Sequence, residues 1–284
     1  MISILMPAYN AERTIAQAVR SVLGQQGAEF ELIVVDDGST DATADVVCAI
    51  TAGDSRVKFI QQENRGTGGA LATATAHAEG EWLLRLDADD WLTEGSLACR
   101  VTFMHEHPGY DIYSASCIYI EDECESEGSA AQRVFPGWQE PRSVTFTQEV
   151  DFPWIQVTSL FRRDLSEQIG SFRPQFYNED YDLWLRLLAA GARHLHQPEP
   201  LAFYRIHQGQ KTDDVLKQRA DDCAIFNDLL ASGALTDEQA IHVQAVIKRH
   251  KRNIALRKTL YVIIGRERAE VAIRKIQGDP CIEI

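Results

Sequence analysis

Paired cysteines, long apolar runs and positive charge are all scarce in this chain. Its six cysteines, Cys48, Cys99, Cys117, Cys124, Cys223 and Cys281, are scattered without a C-x-x-C pair. That spacing excludes a disulfide frame and the usual zinc sites, and leaves them as small apolar residues expected to be buried. Purely apolar stretches last only a few residues, Leu260 to Ile264 among them, and no charged, apolar leader precedes Ser3. Neither a signal peptide nor a membrane span is expected, and a cytoplasmic chain is. Lys and Arg number 28 against 42 Asp and Glu, a formal net charge of −14, which argues against the phosphate grip that most nucleic-acid binding needs. Core material is ample: 45% of the 284 residues are hydrophobic and 25% are charged. One large domain, or one domain with an appendage, is expected.

The first half alternates strand and helix signals. Ile2 to Met6 reads as a strand stopped by Pro7, and Ile15, Ala18, Val19, Val22 and Leu23 recur at helical spacing behind Asn10 as N-cap. Glu31 to Asp36 is a β-branched strand, a helix is expected over 41–52, and Arg56 to Gln61 is a third strand. An alanine-rich helix over 68–78 leads into Trp82 to Leu92, a buried-looking strand that runs straight into acids. This βαβαβαβ order predicts a parallel sheet covered by helices on both faces. Beyond it, helices are expected over 95–107 and 177–190 and strands over 112–120 and 198–206. The acidic run over 121–128 reads as a surface loop, and Pro136, Gly137, Pro141 and Pro153 make that region irregular. From about Asp213 the pattern is helical only. There Lys248, Arg249, Lys251, Arg252, Arg257 and Lys258 form a basic patch, open to three readings: a helix packed on the main domain, one packed on a second subunit as a homodimer, or one lying on anionic membrane.

Acids gather in three places: Asp36 and Asp37 after the second strand, Asp87, Asp89 and Asp90 after the fourth, and Glu179 and Asp180 on a later helix. In open parallel sheets ligands collect outside the carboxyl ends of the strands. Clustered carboxylates there repel one another unless a cation or hydrogen bonds hold them, and Mg²⁺ or Mn²⁺ is the natural hard partner. The alternative is that Asp89 or Asp90 caps a following helix. Asp180, Leu183, Trp184 and Leu187 fall at i, i+3, i+4 and i+7, which places Asp180 on the inward face and Asp182 roughly opposite. Partial desolvation there would move Asp180 toward the pKa of a useful base.

The stretches Pro7-Ala8-Tyr9-Asn10, Val35 to Asp41 (VDDGSTD), Asn64-Arg65-Gly66, Leu86 to Asp90 (LDADD), Asn178-Glu179-Asp180 and Tyr204-Arg205-Ile206-His207 occur in fixed order. In that order and approximate spacing the chain resembles the family 2 inverting glycosyltransferases over roughly residues 1 to 210. The resemblance implies an α/β fold of the GT-A type: a Rossmann-like, mostly parallel sheet flanked by helices, with a C-terminal helical extension. It implies a nucleotide-sugar-binding half over 1–100, an acceptor-binding and catalytic-base half over 101–212, and the extension over 213–284.

The implied activity is metal-dependent transfer of a sugar from a nucleoside diphosphate sugar, a UDP-sugar above all, to an acceptor hydroxyl by single displacement. Carried over residue by residue, Pro7 and Tyr9 resemble the loop that packs on the nucleotide base, and Asp37 the acid that reads a uracil-type ring. Asp87 and Ala88 fall on the nucleotide-sugar side of a D-x-D signature. Asp89 and His207 match the metal site, for Mn²⁺ or Mg²⁺, with Asp90 as a further candidate. Asp180 matches the catalytic base, and Glu179 and Trp184 fall on the acceptor side. Acceptors in the family include glycans, lipid-linked sugars, small molecules and peptides. The basic C-terminal helices make peripheral contact with the inner membrane face a further expectation. The chain departs from the family where an A-R-N cluster is usual: Ala70, Leu71 and Ala72 stand there. Arg65 or Arg85 would have to replace the missing charge. Other readings are a catalytically inactive nucleotide-sugar-binding or scaffold module, and a nucleotidyltransferase, whose glycine-rich basic phosphate loop Pro7 to Arg13 does not supply.

Overall fold

The computed structural model describes residues 1–121, 133–207, 210, 214–264 and 266. The acidic loop expected over 121–128 lies, past Glu121, outside the described residues. Strands β1 (Ile2–Ala8), β2 (Phe30–Asp36), β3 (Val57–Gln61) and β4 (Trp82–Arg85) alternate with helices α1 (Ile15–Leu23), α2 (Thr43–Thr51) and α3 (Gly66–Ala76). The strands pair in parallel in the order β3-β2-β1-β4. Every residue of β1 and β2 is buried, as a strand covered on both faces requires. The α1 stripe Ile15, Ala18, Val19 and Val22 supplies part of that cover.

The sheet continues through β8 (Leu160–Arg162), β6 (Ile112–Glu121), β9 (His194–Ile206) and β5 (Trp91–Leu92), with β7 (Arg133–Phe135) on the side of β6. Here it is mixed: β8 runs antiparallel to β4 and β6, whereas the long β6 and β9 are parallel. Helices α4 (Ser96–Glu106), α5 (Phe146–Asp151), α6 (Arg163–Gln168) and α7 (Glu179–Ala189) complete this part. Helices α8 (Val215–Ser232) and α9 (Asp237–Ile264) follow. The chain divides into two compact units, Met1–Gln210 and Lys211–Ile284; in the second, α8 and α9 pack against each other.

Several local expectations change. Trp82 to Leu92 is not one strand: β4 stops at Arg85, a turn closed by Asp90 N–H to Asp87 C=O at 3.1 Å follows, and Trp91–Leu92 joins β9 instead. Asn10 does not cap α1, whose N-cap is Thr14. It sits at φ 50°, and its side chain accepts from the Thr40 N–H at 2.9 Å. Among the described cysteines Cys117 and Cys223 are buried, while Cys48 is exposed.

A directional chain of hydrogen bonds fixes the join between β6 and β9. The Val144 N–H donates to His194 Nδ1 at 3.0 Å, so His194 carries its proton on Nε2, which lies 2.7 Å from Ser114 Oγ. Ser114 then donates to His196 Nδ1 at 2.8 Å, His196 Nε2 to Ser116 Oγ at 3.1 Å, and Ser116 to the Pro136 carbonyl at 2.7 Å. Both imidazoles are buried and neutral in this arrangement. Burial, then His196, lowers the His194 pKa to about 3; burial, then Arg100, lowers that of His196 to about 4. A folded-state pKa below the unfolded one gives stability that is present above about pH 6.5 and lost as pH falls toward 4. Each histidine is expected to cost about 2–3 kcal/mol between pH 7 and pH 4.5. Urea unfolding of wild type and His196→Asn at the two pH values checks this: equal pH slopes in both proteins would contradict it.

Candidate active site

The carboxyl ends of β1, β2 and β4 meet at one edge of the sheet. Two loops there are stitched together by reciprocal bonds. The Asn10 N–H donates to Ser39 Oγ, the Glu12 N–H to the Asp41 carboxylate, and the Ala42 N–H back to the Glu12 carboxylate. This braces the turn that leaves Tyr9 54% exposed above the strand ends, while Pro7 stays buried in β1 opposite Val35. Asp36 and Asp37 are both buried. Asp36 caps its own turn by accepting from the Ser39 N–H. Asp37 Oδ1 accepts from Gln62 Nε2 at 2.7 Å and the Arg65 N–H at 2.9 Å, while Oδ2 takes no hydrogen bond from the described residues.

At the end of β4 the buried Arg85 organises the acids. Its Nε and Nη2 donate to the two oxygens of Asp87 at 2.8 and 2.9 Å. Nη2 also lies 3.1 Å from Glu179 Oε1, and Nη1 3.5 Å from Asp180 Oδ2. Burial works against the guanidinium charge, but Asp87, Glu179 and Asp180 outweigh it and hold the pKa well above its ordinary value. One side chain thus joins the β4 acids to the first turn of α7. Arg85 Nη1 itself makes no hydrogen bond.

Asp87, Asp89 and Asp90 each offer a carboxylate oxygen within 4.8 Å of the others. Their environments differ. Asp90 is buried and accepts from the Arg205 N–H at 2.9 Å; burial first, then Asp89 and Asp87, pushes its pKa well up. Burial and the charge of Asp87 also raise Asp89, whose Oδ2 lies 3.2 Å from His207 Nε2. Asp90 is not a helix cap, because β5 follows it and α4 has Gly95 as its N-cap. It ties the acidic turn to the end of β9 instead, and Arg205 Nε adds a bond to the Asp89 carbonyl at 3.0 Å.

These residues fit a divalent cation. Asp87 is occupied by Arg85 and Asp90 by Arg205, whereas Asp89 and His207 face each other half-buried, offering the carboxylate and imidazole donors that suit Mn²⁺ or Mg²⁺. Raised carboxyl pKa values are what mutual repulsion in a desolvated cluster produces.

Asp180, expected as the catalytic base, is 24% exposed beside Arg85. Glu179 is 1% exposed and faces Arg85, and Trp184 is 1% exposed and packs edge-on against Phe161 at 5.2 Å. Neither presents a surface to an acceptor. Their placement follows from α7, which is buried nearly all round. Asp182, expected opposite the core, is fully buried and held by Arg173 and Arg186. Gly68 and Gly69 are explained by packing: a Cβ would meet the Arg173 carbonyl at 3.0 Å and the Arg65 Cβ at 2.6 Å. Arg85 is committed to carboxylates, and Arg65 is exposed at this edge.

The family described as Glycosyl transferase family 2 matches residues 3–170, more than half of the chain. The chain belongs to glycosyl transferase family 2. This family 2 glycosyltransferase is 29% identical over 234 residues to the putative glycosyltransferase EpsE of Bacillus subtilis, covering 81% of this chain and 80% of that one. It is 33% identical over 190 residues to WfgD of Escherichia coli, a UDP-Glc:α-D-GlcNAc-diphosphoundecaprenol β-1,3-glucosyltransferase, covering 66% and 70%. Staphylococcus aureus TarS 1–349, solved with UDP-GlcNAc, superposes with a TM-score of 0.71 at 20% identity, over 93% of this chain and 75% of that one. A mannosyltransferase from Pyrobaculum calidifontis, solved with GDP-Man and Mn²⁺, gives a TM-score of 0.66 at 18% identity over 99% and 81%. The fold is that of the GT-A glycosyltransferases.

Proposed function

We propose that this glycosyltransferase is a metal-dependent inverting enzyme that uses a UDP-sugar and takes the acceptor proton with Asp180. The observation that carries the reading is Arg85: one buried guanidinium brings the donor-side acid Asp87 and the base candidate Asp180 to opposite edges of the same group. Tyr9 and Pro7 pack on the base, and Asp37 Oδ2 accepts the uracil imide N–H, which a carboxylate reads well. Asp87 and the backbone at Ala88 contact the sugar and ribose. Arg65 stands beside the diphosphate in place of the arginine missing near Leu71. Asp89 and His207 hold the cation, which when bound neutralises charge on the departing diphosphate. The acceptor hydroxyl loses its proton to Asp180 as its oxygen attacks the anomeric carbon opposite the diphosphate, so configuration inverts. Chelation with EDTA is expected to stop sugar release, Mn²⁺ to restore it, and Asp89→Ala to abolish Mn²⁺ binding in calorimetry. Full activity in EDTA would contradict the metal assignment.

The tail supports peripheral membrane contact in the same reading. On α9, exposed Ile241, Leu256, Val262 and Ile263 fall within about 120° of the helix circumference. Lys248 and Arg252 lie on that face as well, a pattern suited to anionic lipid. The lipid-linked acceptor in the WfgD name accords with this. Full-length protein is expected to co-sediment with vesicles containing phosphatidylglycerol but not with phosphatidylcholine alone, and to lose that binding when Lys248, Arg249, Lys251 and Arg252 become glutamine. Equal sedimentation with both vesicle types would count against it.

A further inference from the structure

Asp89 and His207 stand 118 residues apart, yet Asp89 Oδ2 and His207 Nε2 come within 3.2 Å of each other. Neither is fixed by an element of its own: Asp89 lies in the turn past β4, and His207 directly follows β9. Arg205 touches both ends. Its N–H donates to Asp90 Oδ1 at 2.9 Å, its Nε to the Asp89 carbonyl at 3.0 Å, and its Nη2 to Gln17 Oε1 on α1 at 2.7 Å. The guanidinium lies 4.9 Å over the Trp91 ring, which stacks on Phe203 at 4.9 Å. The Arg205 carbonyl accepts from Gln210 Nε2.

Gln17 is one of a series. Gln17 and Ser21 on α1, and Gln25 just past its end, recur at i, i+4 and i+8, so their side chains follow one line beside the apolar stripe of the helix. Ser21 Oγ accepts from the Leu92 N–H at 3.1 Å. Gln25 donates to the Thr93 carbonyl at 2.9 Å and accepts from the Leu97 N–H at 3.1 Å. This polar line sets the path of the chain from Leu92 to Leu97 by direct contact. At its first member the contact passes through Arg205, whose fork reaches from Gln17 to the Asp89 carbonyl.

We infer that Arg205 is a positioning residue for the cation site: it docks the Asp89 main chain on α1 and holds the strand end that leads to His207, so that carboxylate and imidazole are aimed before an ion arrives. The inference rests on the metal-dependent reading of the same site. Two effects of the side chain oppose each other. A guanidinium near a cation site repels the ion, so charge alone predicts tighter metal binding once it is removed. Aiming predicts weaker binding, because donors left mobile must then be ordered at the ion's expense. The sign of the change separates the two.

Titration of full-length protein with Mn²⁺, followed by the electron paramagnetic resonance of the free ion, tests it, with melting temperatures measured alongside. Arg205→Met keeps an unbranched stem over Trp91 and the backbone bond to Asp90 but has no side-chain donor. Its Mn²⁺ dissociation constant is expected to rise about tenfold or more. Arg205→Lys, which keeps the charge but not the fork, is expected to weaken binding as well. Gln17→Ala, at an exposed helix position, is expected to cost several-fold in the wild-type background and nothing further in Arg205→Met. An unchanged or tighter constant in Arg205→Met, even with a lower melting temperature, would overturn the inference, as would a Gln17→Ala effect that adds in full to it. Wild-type protein that binds Mn²⁺ no better than Asp89→Ala refutes the metal reading and the inference with it, whereas intact wild-type binding beside an unaffected Arg205→Met refutes the inference alone.

Discussion

Replacing Asp180 by asparagine is expected to lower the rate of sugar release from a UDP-sugar by about 10² to 10⁴, the range a lost general base costs, while UDP affinity changes little. Asparagine keeps the size of the side chain and an oxygen that can accept the Tyr181 N–H, as Asp180 Oδ1 does at 2.8 Å. It cannot take a proton from an attacking hydroxyl. The loss belongs in kcat rather than in donor KM, because in the proposed role the group acts only as the hydroxyl is deprotonated. Single-turnover kinetics with calorimetric UDP binding separate the two. Wild-type turnover in the variant would remove Asp180 from the mechanism.

The second large effect belongs to Arg85. Its side chain is 5% exposed and its guanidinium faces Asp87, Glu179 and Asp180. Arg85→Gln is expected to destabilise the fold by about 3–5 kcal/mol, because it leaves buried Glu179 and the partly buried Asp87 and Asp180 without their cation. In a chain of this size that is a fall in melting temperature on the order of 10 °C. Arg85→Lys is expected to fall between, an ammonium being unable to grip Asp87 with two parallel bonds. Calorimetric melting of the variants decides it: a wild-type melting temperature in Arg85→Gln would mean the cluster is held by something else.

What the sequence made legible followed the physics of long elements. β1, β2 and α1 carry seven to nine residues of consistent pattern, and their run or stripe survives folding because burial repeats with the same period. β5 and β8 are two and three residues long, too short to show any period, and only pairing with β9, β4 and β6 makes them strands. β9 was readable only from Pro198 onward, yet it begins at His194; its prolines sit near register shifts against β6, where a missing N–H is tolerated.

In the site, the carboxylates at strand ends were visible as a cluster, but their separate environments were not. Asp87 is gripped by Arg85 two residues before it, whereas Asp90 takes the Arg205 amide of β9, and the α7 acids that share Arg85 come from far away in sequence. The clue to Arg85 was present: a lone arginine in the apolar run WLLRL is almost never buried unless carboxylates meet it. Helical periodicity ranked Asp180 above Asp182 for burial and was misled, because α7 is enclosed by the sheet and by the Ile169 to Arg173 segment, whose Ile169 and Ser171 carbonyls bind Arg186. Buried Glu149 gave no advance sign; it sits in α5, whose Thr145 and Gln148 cap shows only in the folded chain.

Stereochemistry tests the central claim most directly and needs no acceptor. With Mn²⁺ and a panel of UDP-α-sugars, water serves as acceptor, and proton NMR reports the anomer released before mutarotation. Single displacement with Asp180 as base predicts the β-sugar as first product. An α-sugar appearing first would contradict it.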